Sequence, residues 1–347
     1  MGTVSWLESQ ALYHGIAAAL TAETPDTLVL VRPDAPHFCV GYHQDAALVL
    51  DLDVCRELGA AVVRRRLGGG AVYLDRQQLY YQCVFHKDRV PARVDALYAH
   101  CLGPPVAALR NLGLDACLRG VNEIEVGGRR IAGTGAGQIG EASVVVGNIL
   151  FDFDYEAMAR AWRAPSLPFR GQAAEALREH VTTLRREMPH PPEIEEVREA
   201  LVRSYSTNLG RALQLGALTE DERAAVADAA AYLADPAWLS RAGGLHRPGL
   251  KIAAGVLVCE VEVALPAGPL RLTGRLRDGA LDALAIWGPA AGSLGDPNAI
   301  AAALRGARPD DPRDIDVHLA RVNGALRVSP DLLADALGRL APGGNDQ

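Results

Sequence analysis

The sequence predicts an α+β fold in two domains, and three features carry that prediction. β-rich segments separated by turn-forming residues fill the chain up to about Phe153, helical spacing takes over from Asp154, and strand patterns return after the Gly- and Pro-rich stretch 234–249. The 347 residues, at roughly 150 per domain, allow about two domains. The one dinucleotide-type glycine pattern, Gly135, Gly137 and Gly140, runs into the β-branched EASVVVGNILF instead of a helix, which argues against a doubly wound parallel sheet. The expected division is 1–242, with a central mixed or antiparallel sheet flanked by helices, and 243–347, a small α+β domain.

Each element follows from its local pattern. Ser5 and Glu8 form a capping-box pattern before an apolar-periodic run through Leu20, which predicts an opening helix. TLVLVRP (27–33) and HFCVGYH (37–43) read as strands about a turn, DLDVCRELG as a short helix ending at Gly59, and AAVVRRRL and AVYLD as strands flanking three glycines. LYYQCVF is a further strand. Residues 93–112 have helical spacing but contain Pro104 and Pro105, so a broken or kinked helix is expected. NEIEV, Gly127-Gly128 and RRIAG predict a hairpin, since a two-glycine turn tolerates the positive φ that tight hairpins need. SVVVGNILFDF (143–153) reads as a buried strand. DYEAMARAW, PEIEEVREALVRSY and TEDERAAVADAAAYL read as helices, the last opened by a Thr219/Glu222 capping box. In the second domain KIAAGVLVCEVEV, PLRLTGRLR and ALDALAIWG predict three strands with an Asp278-Gly279 turn, DPNAIAAALRG begins a helical tail, and PGGNDQ is a polar end expected to fray.

Composition removes several function classes. With 49% hydrophobic residues, the chain is ordinary globular protein. No apolar run approaches the roughly 18 residues of a membrane span, and MGTVSWLESQ lacks a basic segment followed by an apolar one, so a soluble cytoplasmic protein is expected. A net charge of -7 excludes a basic field for nucleic acid or anionic lipid, so any anion site is local. The six cysteines show no CxxC and no metal-type pairing with histidine, so neither a disulfide scaffold nor a metal site is expected. His37, His43 and His86 border strands without spaced partners and read as strand-end or surface residues.

Two segments stand out chemically. In VVRRRLGGGAVYLD (62–75), three glycines between strands leave no Cβ in the way, so backbone N–H groups can approach a ligand, while Arg64, Arg65 and Arg66 place positive charge at the entrance. This suits an anionic ligand, the alternative being a glycine-rich bulge with solvated arginines. It is not a Walker A loop, because no Gly-Lys-Ser/Thr follows. In GVNEIEVGGRRIAGTGAGQIG (120–140), the glycines can form a second wall whose hairpin presents Asn122 and Arg130 to the same ligand.

Together these segments resemble the biotin/lipoate protein ligase superfamily, most closely the lipoate-protein ligase A family. Arg65, Gly68, Gly69, Gly70, Ala71, Val72 and Tyr73 match its Arg-x-x-Gly-Gly-Gly-Ala-Val-aromatic signature, Gly41 and Gln44 its Gly-x-x-Gln, and Asn122-Glu123 stand where ligases carry Asn-Asp. Gly133-Thr134 match its following turn and GNILFD its buried strand, so the likeness covers about 10–240; the remainder resembles the accessory domain of such ligases. The resemblance implies an enzyme that uses ATP and Mg²⁺ to convert lipoate, or a similar acyl carboxylate, into an acyl-adenylate. The acyl group then passes to a lysine of a lipoyl-domain protein, such as the E2 component of a 2-oxoacid dehydrogenase or the glycine cleavage H protein. It also implies that Arg65 and the backbone of Gly68 to Tyr73, with Gly133 and Thr134, hold the nucleotide, while Asn122 positions it and Arg130 acts at the reacting oxygens.

Two residues keep alternatives open. The family carries lysine at the position of Arg130; guanidinium keeps the charge but is planar, bulkier and always protonated. A working ligase of shifted geometry, an enzyme for a different acyl group, and a non-catalytic lipoyl-binding homologue all fit. Cys117 lies where related octanoyl and lipoyl transferases carry a thioester-forming cysteine, and a thiol near Arg119 and Arg130 meets the electrostatic requirement for such a nucleophile. An isolated cysteine is otherwise a small buried hydrophobe.

Overall fold

The computed structural model describes residues 2–244, 249–322, 326–327 and 329–340. They group into two compact units, Met1–Arg163 with Val181–His246, and Ala164–His180 with Arg247–Gln347. The polar end PGGNDQ lies outside the described residues.

The first unit is built on a five-stranded sheet in the order β1-β2-β6-β11-β10. Its strands are β1 (Thr3–Val4), β2 (Thr27–Pro33), β6 (Gln78–His86), β10 (Thr134–Ile139) and β11 (Ala142–Leu150). β1 runs parallel to β2 and every other pair is antiparallel, so the sheet is mixed. β6 is buried along its whole length, as befits a central strand covered on both faces. Two smaller sheets accompany it: β4-β3-β5, from Ala61–Arg64, His37–Val40 and Val72–Leu74, and β7-β8-β9, from Ala116–Arg119, Glu123–Val126 and Arg129–Ala132. The β8–β9 hairpin forms as expected, with Gly127 and Gly128 at φ 57° and 74°.

Helices cover both faces of the large sheet. On one, Trp6–Ala19 packs against Glu220–Ala234, and the approach is so close that a Cβ on Gly15 would lie 2.4 Å from the Val226 Cα. On the other, Val94–Asn111 and Ile194–Leu209 close a core that includes Leu79, Tyr81, Leu102, Leu109 and Tyr205. Both capping residues predicted from sequence, Ser5 and Thr219, accept a hydrogen bond from the residue three positions on.

The expected break at Pro104 and Pro105 does not occur: Val94–Asn111 is one helix with both prolines inside it. Pro105 has no N–H to offer the Cys101 carbonyl, and the buried Tyr205 hydroxyl donates to that oxygen instead, at 3.0 Å. A neighbouring helix thus supplies the donor that Pro105 lacks.

In the second unit, β12 (Leu250–Ala253), β13 (Val256–Leu265), β14 (Gly268–Arg277) and β15 (Ala280–Trp287) form an antiparallel meander. There are four strands and not three, because Gly255, at φ 72°, turns the chain within KIAAGVLVCEVEV. The sequence also gives no warning of the helix Leu167–His180, which belongs to this unit and not to the first. Phe169, Ala173, Ala176 and Leu177 are buried on its inner face, and it packs on β13 and β14. No described helix is long and apolar enough to cross a membrane.

Tyr205→Phe, which removes the donor to the Cys101 carbonyl together with the acceptor of the Cys83 thiol, is expected to lower stability by about 1–3 kcal/mol. Chemical denaturation measures it; an unchanged midpoint would mean that the proline gap needs no partner.

Candidate active site

The site begins with three consecutive arginines that do different work. Arg64 is fully buried and donates to the carbonyls of Tyr42 (2.9 Å) and Leu239 (3.1 Å), and to those of Gln44 and Arg241. It pins the 41–44 turn to the segment after Glu220–Ala234. Arg65 lies inside the glycine loop. Its Nε and Nη2 donate to the Gly68 carbonyl at 3.1 and 2.7 Å, Nη2 also to Gly70 at 2.9 Å, and Nη1 to Cys39 at 3.2 Å. The Arg66 N–H donates to His14 Nε2 at 3.0 Å. Thus two of the three arginines are buried struts; neither solvated charge nor an array of free donors at the entrance describes them.

Close backbone packing explains the glycines. A Cβ at Gly41 would lie 2.0 Å from the Gly69 carbonyl oxygen, so this position admits only hydrogen. Gln44 completes the motif by accepting from the Gly41 N–H at 3.1 Å. On the other side the loop rests on β10. The Gly68 N–H donates to Ala136 at 3.4 Å, a Cβ at Gly135 would meet the Gly68 oxygen at 3.3 Å, and one at Gly137 would meet Leu67 at 2.9 Å. The Gly135/Gly137 pattern therefore serves loop-on-strand contact.

Where these segments meet, a cavity opens between the sheet face, the helix Trp6–Ala19 and the β3–β5 pair. Arg65, Val72, Gly133, Thr134 and Gly135 line it, with Val146 and Asn148 from β11, Tyr80 and Gln82 from β6, and Gln10 and Tyr13 from the helix. Side chains are arranged by register: Gln82 pairs with Val146 and Tyr80 with Asn148, so all four project from one face. Gly147, facing the other way, leaves space for the Tyr81 hydroxyl, which a Cβ would approach to 2.2 Å.

Of the sequence-predicted site residues, the structure brings Arg65, Val72, Gly133 and Thr134 to this cavity, with Gly68, Gly69, Gly70 and Ala71 in the adjoining loop. Tyr73 turns its ring to Phe38 and Phe153. Asn122 joins from the turn between β7 and β8: its carbonyl accepts from the Thr134 hydroxyl, and its side chain hydrogen-bonds Tyr98. Arg130 is not among the lining residues. It sits on β9, partly buried, with Nη1 3.9 Å from Glu123 and its Nε buried without a hydrogen-bond partner. Cys117 is exposed, unlike the other five thiols, and shares a cross-strand row with Glu125 and Arg130.

Sequence reasoning missed Tyr98, Gln78 and Asn148. Tyr98 hydrogen-bonds Asn122 and the Ala136 backbone; burial raises its pKa, with Asn122 and Arg65 opposing. Gln78 and Asn148 are polar residues in otherwise apolar strand patterns, which is the signal that could have flagged them.

Burial also sets the state of His14 and His37, both of which drop to about 4 in pKa. His14 Nε2 accepts from Arg66 while Nδ1 lies 2.7 Å from the Gln10 carbonyl, so the neutral ring carries its proton on Nδ1. A carboxylate-histidine cluster exists elsewhere, Glu179, His180 and Asp282 in the second unit, but Arg275 bonds both carboxylates, at 2.9 and 2.6 Å, and occupies the place of a cation.

The fold and cavity define a class: an α+β domain with a cavity beside a glycine loop. Residues 6–206 match the model of the lipoyl protein ligase A/B catalytic domain, and the chain belongs to that family. It is 31% identical over 239 residues to octanoyltransferase LipM of Kyrpidia tusciae, covering 61% of this chain and 86% of that protein. Among solved structures it is similar to the bipartite lipoate protein ligase of Thermoplasma acidophilum, solved in a study that includes its E2 lipoyl domain (25% identity, TM-score 0.65, 71% of this chain and 96% of that one). P. falciparum LipL1 in complex with lipoate shares the fold over 96% of this chain and 97% of its own, at 14% identity and TM-score 0.53.

Two tests follow. Gly41→Ala is expected to displace the glycine loop and cost at least about 2 kcal/mol in a urea melt, since the clash is with backbone; wild-type stability would contradict the packing. Because His14 and His37 have folded pKa values near 4 against an ordinary 6.5, the unfolded chain binds more protons between those values. Their contribution is complete above about pH 6.5 and is lost as pH falls toward 4, so Tm should decline over that interval, and less so in a His14→Asn variant. An equal decline in that variant would remove His14 from the account.

Proposed function

We propose that the protein is an adenylate-forming ligase that attaches lipoate, or a close acyl analogue, to a lysine of a lipoyl-domain protein. The observation that carries this reading is the cavity itself: apolar Val72, Leu74 and Val146 suit an acyl chain, and the Gly133-Thr134 turn and the glycine loop adjoin it at polar backbone. A carboxylate oxygen of the acyl group attacks the α-phosphorus of ATP, forming a mixed anhydride as the α–β bridging bond breaks and pyrophosphate leaves. The lysine amine, having lost its proton, then attacks the acyl carbon, and AMP departs. Both steps concentrate charge on non-bridging oxygens, so fixed donors and cations are the main catalytic resource.

In this reading Arg65 works through the loop. Its donors already hold the carbonyls of Cys39, Gly68 and Gly70, which fixes the direction of the loop backbone offered to the nucleotide. Asn122, held through Thr134 and Tyr98, orients the acyl-phosphate, and Arg130, steadied by Glu123, supplies positive charge. ATP is a substrate here, and Mg²⁺ would arrive with its phosphates: the buried carboxylate of Glu123 faces Arg130, which leaves it a poor metal ligand. The acceptors expected are E2 lipoyl domains or the H protein of glycine cleavage.

The second reading is acyl transfer through a thioester on Cys117. The exposed thiol in line with Arg130, and the likeness to an octanoyltransferase, favour it. In the ligase reading, pyrophosphate exchange into ATP depends on lipoate, and mass spectrometry of a lipoyl-domain acceptor gains the lipoyl mass only with ATP and Mg²⁺. Acyl adduct formation on Cys117 from an acyl-carrier donor, without ATP, would replace the ligase by the transferase. Arg130→Ala is expected to slow adenylate formation about 100-fold or more; exchange kinetics equal to wild type would take Arg130 out of the reaction.

A further inference from the structure

We infer that Gln78 and Asn148 are positioning residues: their side-chain amides form a clasp that joins the two walls of the cavity and fixes the spacing between them. The connection is continuous. Gln78 Nε2 donates to the Tyr73 carbonyl at 3.1 Å, at the end of the glycine segment. Asn148 Nδ2 donates to Gln78 Oε1. Asn148 Oδ1 accepts from the Gly133 N–H at 3.0 Å, and the Asn148 N–H donates to the Gly133 carbonyl at 3.2 Å. Each primary amide thus uses its oxygen toward one partner and its nitrogen toward the next, so the chain has one direction. Reversing either amide would set two donors or two acceptors face to face.

The placement follows from register. Leu150 is opposite Gln78 and Tyr80 opposite Asn148, so the two amides are diagonal neighbours on one face of the β6–β11 pair. Gln78 is fully buried and also hydrogen-bonds Asp75, whose carboxyl burial pushes up in pKa. Position 133 admits no side chain easily, since a Cβ there would lie 3.3 Å from Asn148 Oδ1. Neither amide is needed to hold the sheet, whose ladder is made by backbone. They instead tie β5 and the β9–β10 turn, the two segments that bound the cavity, to the central strands.

The inference rests on the reading that this cavity holds the acyl group, and the test separates the two. Hydrogen exchange by mass spectrometry on the full chain reads the clasp without turnover. Gln78→Met is expected to speed exchange about tenfold in the peptide containing Gly133-Thr134, which Gln78 does not touch, and Asn148→Ala to do the same around 71–74. In lipoyl transfer, each variant should lower kcat about 10- to 100-fold with a smaller change in KM. The double variant should be no slower than the worse single, because either change breaks the chain. Asn148→Asp provides a near-isosteric check if the alanine variant folds poorly: it keeps the acceptor for Gly133 but sets a second acceptor against Gln78 Oε1, so the faster exchange around 71–74 should persist. Exchange changes confined to each variant's own neighbours, or additive losses in the double, would overturn the clasp. If the wild type transfers no lipoyl group, the functional reading fails while the exchange result still decides the clasp.

Discussion

The Arg65 guanidinium, buried within its own glycine loop, is the constraint on which the rest of the site depends. A charged side chain is costly to bury unless its donors are met, and here carbonyls of Cys39, Gly68 and Gly70 meet them. The same bonds give a three-glycine segment, intrinsically the least ordered kind of chain, one defined path. With the loop fixed, Gly41 must lack a side chain and β10 must present Gly135 and Gly137. Motifs distant in sequence are thus consequences of one packed object.

That object sits where two secondary-structure systems meet. The central antiparallel strands provide a rigid face whose alternating residues line the cavity, while the β3–β5 pair and the β9–β10 turn provide the rims. The arrangement separates demands that conflict chemically. An acyl chain requires apolar walls, and an anionic transition state requires aimed polar groups; in the proposed reading apolar strand side chains would serve the first and loop backbone with the flanking hairpin the second. Arg130 and its neighbour Glu123 belong to that hairpin, which is why their charge lies beside the cavity and not in it.

Much of this was legible in the sequence because the signals were local. The Gly127-Gly128 hairpin, the Asp278-Gly279 turn, the Thr219 cap and the strand after Gly140 each depend on a few adjacent residues, and all form as their patterns predict. What failed to show depended on partners remote in the chain. Pro104 and Pro105 looked like a break because the Tyr205 hydroxyl, 104 residues from Cys101, is invisible to local spacing. Leu167–His180 went unread because Pro168 near its start masks a helix whose apolar face is defined by strands a hundred residues later. Arg64 and Arg65 read as charge at the loop entrance because nothing in a run of arginines reveals carbonyls waiting around two of them. The fold was therefore clearer than the site: motif glycines marked the place, while the polar residues around it, Tyr98, Gln78 and Asn148, became visible only with the tertiary contacts.

The central claim is that the glycine loop and the Gly133-Thr134 turn bound one acyl site. A crystal structure with a non-hydrolysable lipoyl-adenylate analogue tests it most directly. The account predicts the acyl chain among Val72, Leu74 and Val146, with the phosphate between residues 68–72 and Gly133-Thr134. An analogue bound with its acyl chain elsewhere, or with its phosphate away from both segments, would contradict it.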